Sequence, residues 1–165
     1  MLIRLAALGL LLVVIFQILR LAMGLRLAKR ARERARAEEE ARGARVLAEI
    51  PLTDAEVVFL VEEPEAFRWG GARVSKDAVR GARLLVNGAV LQEFALAGTR
   101  LPAPDAPEEY EGRERWEVRV YLDGGRSAVI PCGTLREGVS REIAGRVFEA
   151  LQAAARTPQP PPARP

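Results

Sequence analysis

The sequence predicts an α+β protein: an N-terminal transmembrane helix, then a small antiparallel β-sheet or barrel of about five or six strands with one C-terminal amphipathic helix. Three observations lead to this prediction. An uncharged apolar run, Leu5 to Leu19, stands near the N-terminus. Short β-branched or alternating segments bounded by turn residues occupy the middle of the chain. Apolar residues at helical spacing, from Ile143 to Leu151, stand near the C-terminus.

The run Leu5–Leu19 is interpreted as a single membrane anchor over residues 1–24. A spanning helix needs roughly 20 apolar residues, and this run is shorter, but Arg4 and Arg20 at its ends can extend their charged groups to the lipid headgroups. Two other interpretations are a cleaved signal peptide and a helix buried in a protein core. The anchor is favoured because a dense basic run follows, and because the rest of the chain is too small to cover such a helix.

Positive charge is sparse before the apolar run and dense after it. Only Arg4 and the α-amino group precede the run, whereas seven basic residues lie between Arg20 and Arg36. Positively charged flanks stay in the cytoplasm, so we expect a single-pass protein of the inner (cytoplasmic) membrane with its C-terminal domain in the cytoplasm. The candidate membrane-surface residues are Arg26, Lys29, Arg30, Arg32, Arg34 and Arg36.

Residues 25–48 are rich in Ala, Arg, Glu and Leu and predict a charged helical stalk that frays near Gly43. Charged residues point to all sides of this helix, and pairs four residues apart, such as Lys29–Glu33, support it. The alanines at 28, 31, 35 and 41 are too small and too irregularly spaced to predict a coiled-coil seam. The sequence therefore leaves a homo-oligomer possible but does not indicate one.

Residues 52–155 predict a small α+β cytoplasmic domain. A buried strand is expected over Val57–Val61 because the run is β-branched and aromatic. In the next extended segment, Phe67–Val74, the pair Gly70–Gly71 is either a hairpin tip or a bulge. Residues 75–80 are ambiguous and compatible with a short helical turn.

The strongest hairpin signal is Asn87–Gly88, which stands between the apolar runs Arg83–Val86 and Ala89–Leu96. A type I′ turn needs positive φ at both central residues, and Asn and Gly tolerate it best. The Pro-, Asp- and Glu-rich residues 98–113 predict a mobile loop that crosses the surface.

The alternation in Trp116–Leu122 predicts a half-buried strand with one solvent-exposed face. A turn at Asp123–Gly125 leads into a last strand, which Pro131 is expected to end. Ser140 is the expected N-cap of a helix that runs to about Ala155. The apolar face that would dock on the sheet consists of Ile143, Ala144, Val147, Phe148, Leu151 and Ala155. The proline-rich residues 156–165 predict a disordered or polyproline-like tail.

The chain contains no histidine, which removes the usual general base and the commonest metal ligand. Cys132 is the only cysteine, so no internal disulfide and no thiolate zinc site can form. No phosphate-binding glycine motif is present. Two acidic clusters are interpreted as solvated loops: Glu62, Glu63 and Glu65, and Asp105, Glu108, Glu109 and Glu111. We therefore predict no catalytic residue, no cofactor and no metal site.

The sequence thus predicts a non-enzymatic, membrane-tethered interaction or assembly protein whose partners are the bilayer and another membrane or cytoplasmic protein. The preference for arginine over lysine is typical of a GC-rich bacterial genome. Residues 46–165 hold fifteen basic and eighteen acidic residues, which argues against nucleic-acid binding. One alternative is a module that binds anionic lipid headgroups through the basic segment. Another is a membrane-bound enzyme that uses Cys132 or the loop carboxylates.

Overall fold

The computed structural model describes residues 2–51, 57–106, 114–133 and 137–156, and it leaves the side chains of residues 2–13, 51 and 137 outside the description. The chain divides into two compact units, Met1–Arg42 and Gly43–Pro165. The first unit contains one 40-residue helix, α1 (Leu2–Ala41). At 1.5 Å per residue this helix is about 60 Å long. Gly43, with φ of 80°, adopts the left-handed conformation that is common just beyond a helix end.

The second unit contains two four-stranded antiparallel sheets. The first sheet runs in chain order through β1 (Arg45–Pro51), β2 (Val57–Glu62), β3 (Ala66–Trp69) and β4 (Ala72–Ser75). Gly70 and Gly71 form the tip of the β3–β4 hairpin, so the hairpin interpretation of this pair is confirmed. A short 3-10 turn, Lys76–Ala78, then leads into the second sheet.

The second sheet has the order β6-β5-β7-β8. Its strands are β5 (Val79–Val86), β6 (Ala89–Ala95), β7 (Trp116–Leu122) and β8 (Ser127–Gly133). Asn87 and Gly88 join β5 to β6 with φ of 49° and 80°, as the predicted type I′ turn requires. The Asn87 turn is fixed to the start of β7, because its Oδ1 accepts a hydrogen bond of 2.8 Å from the backbone N–H of Arg115.

The helix α2 (Glu137–Arg156) packs on the sheets with the apolar face that the sequence predicts. Ile143, Val147 and Leu151 are buried in one core together with residues of both sheets. Phe148 meets Phe94 of β6 edge to face, with ring centroids 5.5 Å apart, a favoured geometry for aromatic pairs. The helix therefore closes the hydrophobic core of the domain.

The α+β class is confirmed, but the described residues form eight strands rather than five or six. One additional strand arises because the predicted segment Phe67–Val74 is the β3–β4 hairpin, and the other is β1, which lies where the sequence favours the end of the stalk helix. Arg45–Pro51 is built largely from helix-forming residues, but antiparallel pairing with β2 and burial of Leu47, Ala48 and Ile50 override that propensity. Helix propensity depends on the residues of β1 alone, whereas the strand forms because β1 pairs with β2, a separate segment of the chain.

Two predicted element ends are wrong. Pro131 does not end the last strand but lies within β8, because β8 is an edge strand and an edge tolerates a residue that lacks an N–H. Ser140 is not an N-cap, since α2 begins at Glu137 and Ser140 is buried inside it. The predicted proline-rich tail falls on residues outside the description, except for Arg156, which ends α2.

Candidate functional site

The six basic residues predicted as a membrane-surface segment all lie on α1 and are exposed to solvent. Two of them make ion pairs with glutamates one turn away: Lys29 with Glu33 at 3.8 Å, and Arg36 with Glu40 at 2.9 Å. Such pairs stabilise a helix by a few tenths of a kcal/mol. The basic segment is thus distributed along about 15 Å of one helix and does not converge on a pocket.

Directly before and within this segment, α1 exposes nine large apolar side chains, of which between 43% and 66% of the surface is accessible. These side chains are Val14, Ile15, Phe16, Ile18, Leu19, Leu21, Met23, Leu25 and Leu27. A contiguous exposed apolar surface of this kind marks a site of contact with protein or membrane. Over the part of the chain that the structure describes, no helix combines the length and the apolar character needed to cross a membrane.

Cys132 lies near the end of β8 and is fully buried in the core of the domain. Its Sγ contacts the carbonyl oxygen of Ile130 at 3.5 Å. Burial raises the pKa of the Cys132 thiol to about 12, so the thiol stays protonated at neutral pH. Since the thiolate is the reactive form, Cys132 in the folded domain is an enclosed, space-filling side chain.

The first acidic cluster is not a set of solvated loop carboxylates, because two of its members are held in ion pairs. Glu62, in β2, accepts hydrogen bonds from Lys76 at 2.9 Å and from Arg45 at 3.0 Å. Partial burial alone would raise the pKa of Glu62, but these two cations outweigh burial and lower it. Only Glu65 is exposed, as expected.

Glu63 is held in the same way by the next two strands. It accepts hydrogen bonds from Arg68 of β3 and Arg73 of β4, each at 3.1 Å, and these bonds lower the pKa of Glu63. In the second acidic cluster, Asp105 pairs with Arg119, while Glu108, Glu109 and Glu111 lie outside the described residues. Glu62, Glu63 and Asp105 thus each take part in tertiary ion pairs.

The sequence did not single out the most polar buried feature of the domain, which lies on the face of the second sheet that points away from α2. Arg83 of β5 and Arg119 of β7 stand directly opposite each other in the strand register. The Nε of Arg83 donates to Glu93 of β6, and its Nη1 donates to the hydroxyl oxygen of Tyr121 at 3.0 Å. The Arg83 guanidinium also lies over the Tyr121 ring, 5.2 Å from its centroid.

Arg119 extends this network towards the start of β7. It pairs with Asp105, and its Nη2 lies 3.6 Å from Oε1 of Glu117, whose Oε2 lies 3.5 Å from Nε of Arg115. The hydrogen bond to Asp105 raises the pKa of Arg119, so this guanidinium remains charged. We call the seven side chains of this network the polar face: Arg83, Glu93, Asp105, Arg115, Glu117, Arg119 and Tyr121.

Three members of the polar face, Arg83, Glu117 and Tyr121, are buried, and the segment 96–106 lies across this part of the sheet. Leu101 of this segment sits over Gly81, and Asp105 reaches Arg119. Alternation alone predicts Glu117 and Tyr121 on a solvent-exposed face, yet both are buried. One sequence signal could have indicated this network. Arg119 and Tyr121 stand at alternate positions of one predicted strand, and Arg83 stands in a neighbouring one.

Chemically, the polar face is nearly self-compensated. Its three arginines are matched by the three carboxylates of Glu93, Asp105 and Glu117. The cavity beside Arg83, Arg115 and Arg119 measures about 20 Å³, enough for about one water molecule. This arrangement ties the segment 96–106 to the sheet and offers little room for a substrate.

A metal centre finds no support in the described residues, where no group of three or more carboxylate or thiol side chains converges. Comparisons with protein-family models, with curated proteins and with solved structures found no match for this chain.

Proposed function

We propose that this chain is a non-enzymatic interaction or assembly protein that its N-terminal helix holds at a bacterial inner membrane. Residues 1–24 are the anchor, the rest of α1 is a charged stalk, and the α+β domain lies in the cytoplasm. There the domain holds a second protein, either membrane-bound or cytoplasmic. The observation that carries this proposal is the run of nine exposed large apolar side chains between Val14 and Leu27.

The exposed apolar side chains of this run are suited to contact with lipid. The exposed side chains cover successive turns of α1, and four of them, from Val14 to Ile18, occupy five consecutive positions. Removing an apolar side chain from water stabilises by about 1.5–3 kcal/mol when burial is complete. Several such side chains on one helix therefore strongly favour insertion of that helix into a membrane. The preceding sequence from Leu5 continues the uncharged run towards the N-terminus.

The distribution of positive charge supports a cytoplasmic domain. Seven basic residues follow the apolar run between Arg20 and Arg36, and all seven are exposed on α1, where they would meet the headgroups. Positive flanks are retained on the cytoplasmic side. A reporter enzyme that works only outside the cytoplasm, fused after Ala155, should be inactive, whereas an active fusion would reverse the assigned orientation.

Features of the domain support binding rather than catalysis. The chain has no histidine, the Cys132 thiol is enclosed with a pKa of about 12, and the arginines of the polar face are matched by carboxylates. A tether, by contrast, raises the local concentration of whatever the domain holds. We therefore expect the anchor to be essential and the thiol to be dispensable.

A complementation assay in cells that lack this protein separates the two expectations. The chain without residues 1–24 should fail, and the chain with an unrelated spanning helix of the same orientation should succeed. Cys132→Ser should also succeed, provided that its amount in the cell matches the wild type. Rescue by the anchor-deleted chain together with failure of Cys132→Ser would overturn the tether model and indicate thiol chemistry.

A second candidate function is recognition of anionic lipid headgroups by the basic segment, favoured by the exposure of all six residues from Arg26 to Arg36. Each such residue near an anionic surface contributes about 1 kcal/mol. The chain without residues 1–24 should then float with vesicles that contain anionic lipid and not with neutral vesicles. Replacing the six residues by glutamine should abolish flotation, and equal flotation with both vesicle types would exclude this function.

A further inference from the structure

We propose that two copies of this chain associate in parallel along one face of α1. This inference deepens the proposed function, and rests partly on it, because it names a second copy of the chain as a partner of the anchor and stalk. We call this face the seam face. Its members with described side chains are Val14, Gln17, Leu21, Gly24, Ala28, Ala31 and Ala35.

The members of the seam face follow one another at alternating intervals of three and four residues, which is the heptad spacing of helices that pack along their length. Residues at this spacing form a line along one side of a helix. The charged residues between Arg20 and Arg36 all fall at other positions, so the line is uncharged from Val14 to Ala35. Ala28, Ala31 and Ala35 stand at this spacing, and the irregularity of the alanines comes from Ala41 alone.

Gly24 is the first specific indication of a close partner. A glycine inside a helix costs about 0.5–1 kcal/mol relative to alanine. A Cβ added to Gly24 would meet no atom of the described residues within 4 Å, so none of these residues requires the missing side chain. Beside Gly24 the helix surface forms a shallow concavity that is open to solvent and lined also by Gln17, Arg20, Leu21 and Leu25. The close approach of a second helix backbone is what a glycine at such a place permits.

Gln17 is the second indication, because it is the one strongly polar residue of the run Leu5–Leu19 and it lines the same concavity. A carboxamide in hydrocarbon without a partner is unfavourable. In a parallel pair the two Gln17 side chains lie at the same depth, where each amide can donate to the carbonyl oxygen of the other. A parallel dimer along the seam face would thus give Gln17 a hydrogen-bonding partner and use the close approach that Gly24 permits.

Charges beside the seam face fit the parallel arrangement, which insertion of both copies in the same orientation also requires. In a parallel pair of helices, the residue that precedes Leu21, Ala28 or Ala35 on one helix faces the residue of the partner that lies five positions further along the chain. The facing pairs would be Arg20 with Leu25, Leu27 with Arg32, and Arg34 with Glu39. No pair is like-charged and the third is attractive. Glu39 already accepts a hydrogen bond of 3.4 Å from Arg42, and a carboxylate can accept several.

Disulfide trapping in membranes tests the proposal on the full-length chain. One cysteine is added at a time: Ala28→Cys or Ala35→Cys on the seam face, and Ala37→Cys as a control of the same residue type on the other side of the helix. Cys132 can stay, because its buried thiol does not compete. Under mild oxidation we expect the two seam variants to form covalent dimers at least about tenfold faster than the control. Equal rates for Ala28→Cys and Ala37→Cys would overturn the proposal.

Two further substitutions in the Ala28→Cys chain locate the contact. Gly24→Ile should lower trapping about tenfold, because the added side chain fills the concavity while meeting nothing in its own chain, whereas Ala22→Ile should not. Gln17→Leu should lower trapping about threefold. Unchanged trapping in Gly24→Ile would contradict the assigned face.

Alkaline extraction of the same samples separates this proposal from the anchor. If the chain is released by alkaline extraction and the seam variants still form dimers faster than the control, the anchor assignment is wrong and the dimer is retained. Membrane retention without any seam preference would overturn only the dimer.

Discussion

Leu101 and Gly81 meet where the segment 96–106 crosses the second sheet: Cδ2 of Leu101 lies 3.0 Å from the position that a Cβ on Gly81 would occupy. The same Cβ would lie 2.6 Å from the carbonyl oxygen of Phe94 in the neighbouring strand. The absence of a side chain at position 81 therefore lets the segment approach the sheet and cover the polar face. This contact explains why a segment with little regular structure buries Arg83 and Tyr121.

Gly81→Ala should lower the free energy of unfolding by about 1–3 kcal/mol, because the new methyl group overlaps backbone and Leu101. Denaturant unfolding of the full chain can be followed by the fluorescence of Trp69 and Trp116, both buried in the domain. The control is Gly145→Ala in α2, where a Cβ meets nothing within 4 Å and a gain of up to about 1 kcal/mol is expected. Equal stability of the two variants would refute the close contact.

Leu151→Asp should unfold the domain, because Leu151 is 1% exposed and a charge would be forced against the sheets without a partner. The expected loss of about 5 kcal/mol is comparable to the whole stability of a small domain. Val139→Asp is the matched control, since Val139 lies in the first turns of the same helix and is 47% exposed. Circular dichroism during thermal unfolding distinguishes them, and equal melting temperatures would show that α2 does not dock as described.

Acid should destabilise the domain through Glu62 and Glu63. The pKa of each carboxyl is lower in the folded state than its ordinary value of 4.5, so the unfolded chain binds more protons as the pH falls below about 4.5. The stability that these groups contribute is complete above that pH and is lost as the pH falls through the folded-state pKa. Unfolding free energies measured from neutral to acidic pH should show this loss.

A substitution assigns the acid effect to the ion pairs. Glu62→Gln removes the titrating group beside Lys76 and Arg45, so it should reduce the dependence of stability on pH. Glu65→Gln, at an exposed position of the following turn, should leave that dependence as in the wild type. An identical pH profile for Glu62→Gln and the wild type would contradict the role of these pairs.

Sequence patterns were informative where a structure depends on neighbours along the chain. The Asn87–Gly88 turn follows from local φ preferences, and the buried face of α2 follows from helical periodicity. The strand β1 could not be predicted in this way, because its helix-forming residues become a strand only by pairing with β2. The effect of Pro131 likewise cannot be predicted from its neighbours in sequence, because it depends on whether its strand lies at the edge of the sheet.

The polar face shows the same limit for a site. Alternation correctly separates the core residues of β7 from Glu117, Arg119 and Tyr121. It cannot reveal that a segment from another part of the chain covers the second group. That information depends on Gly81 and Leu101, which stand 20 positions apart in the sequence and in contact in the fold.

The membrane tether is the central claim, and alkaline extraction of membranes that contain the full-length chain tests it most directly. Peripheral proteins are released by this treatment and inserted helices are not. We predict that the full-length chain stays in the membrane pellet with its N-terminal residues intact, and that the chain without residues 1–24 appears in the supernatant. Release of the full-length chain, or an N-terminus near Leu25 in the mature protein, would contradict the account.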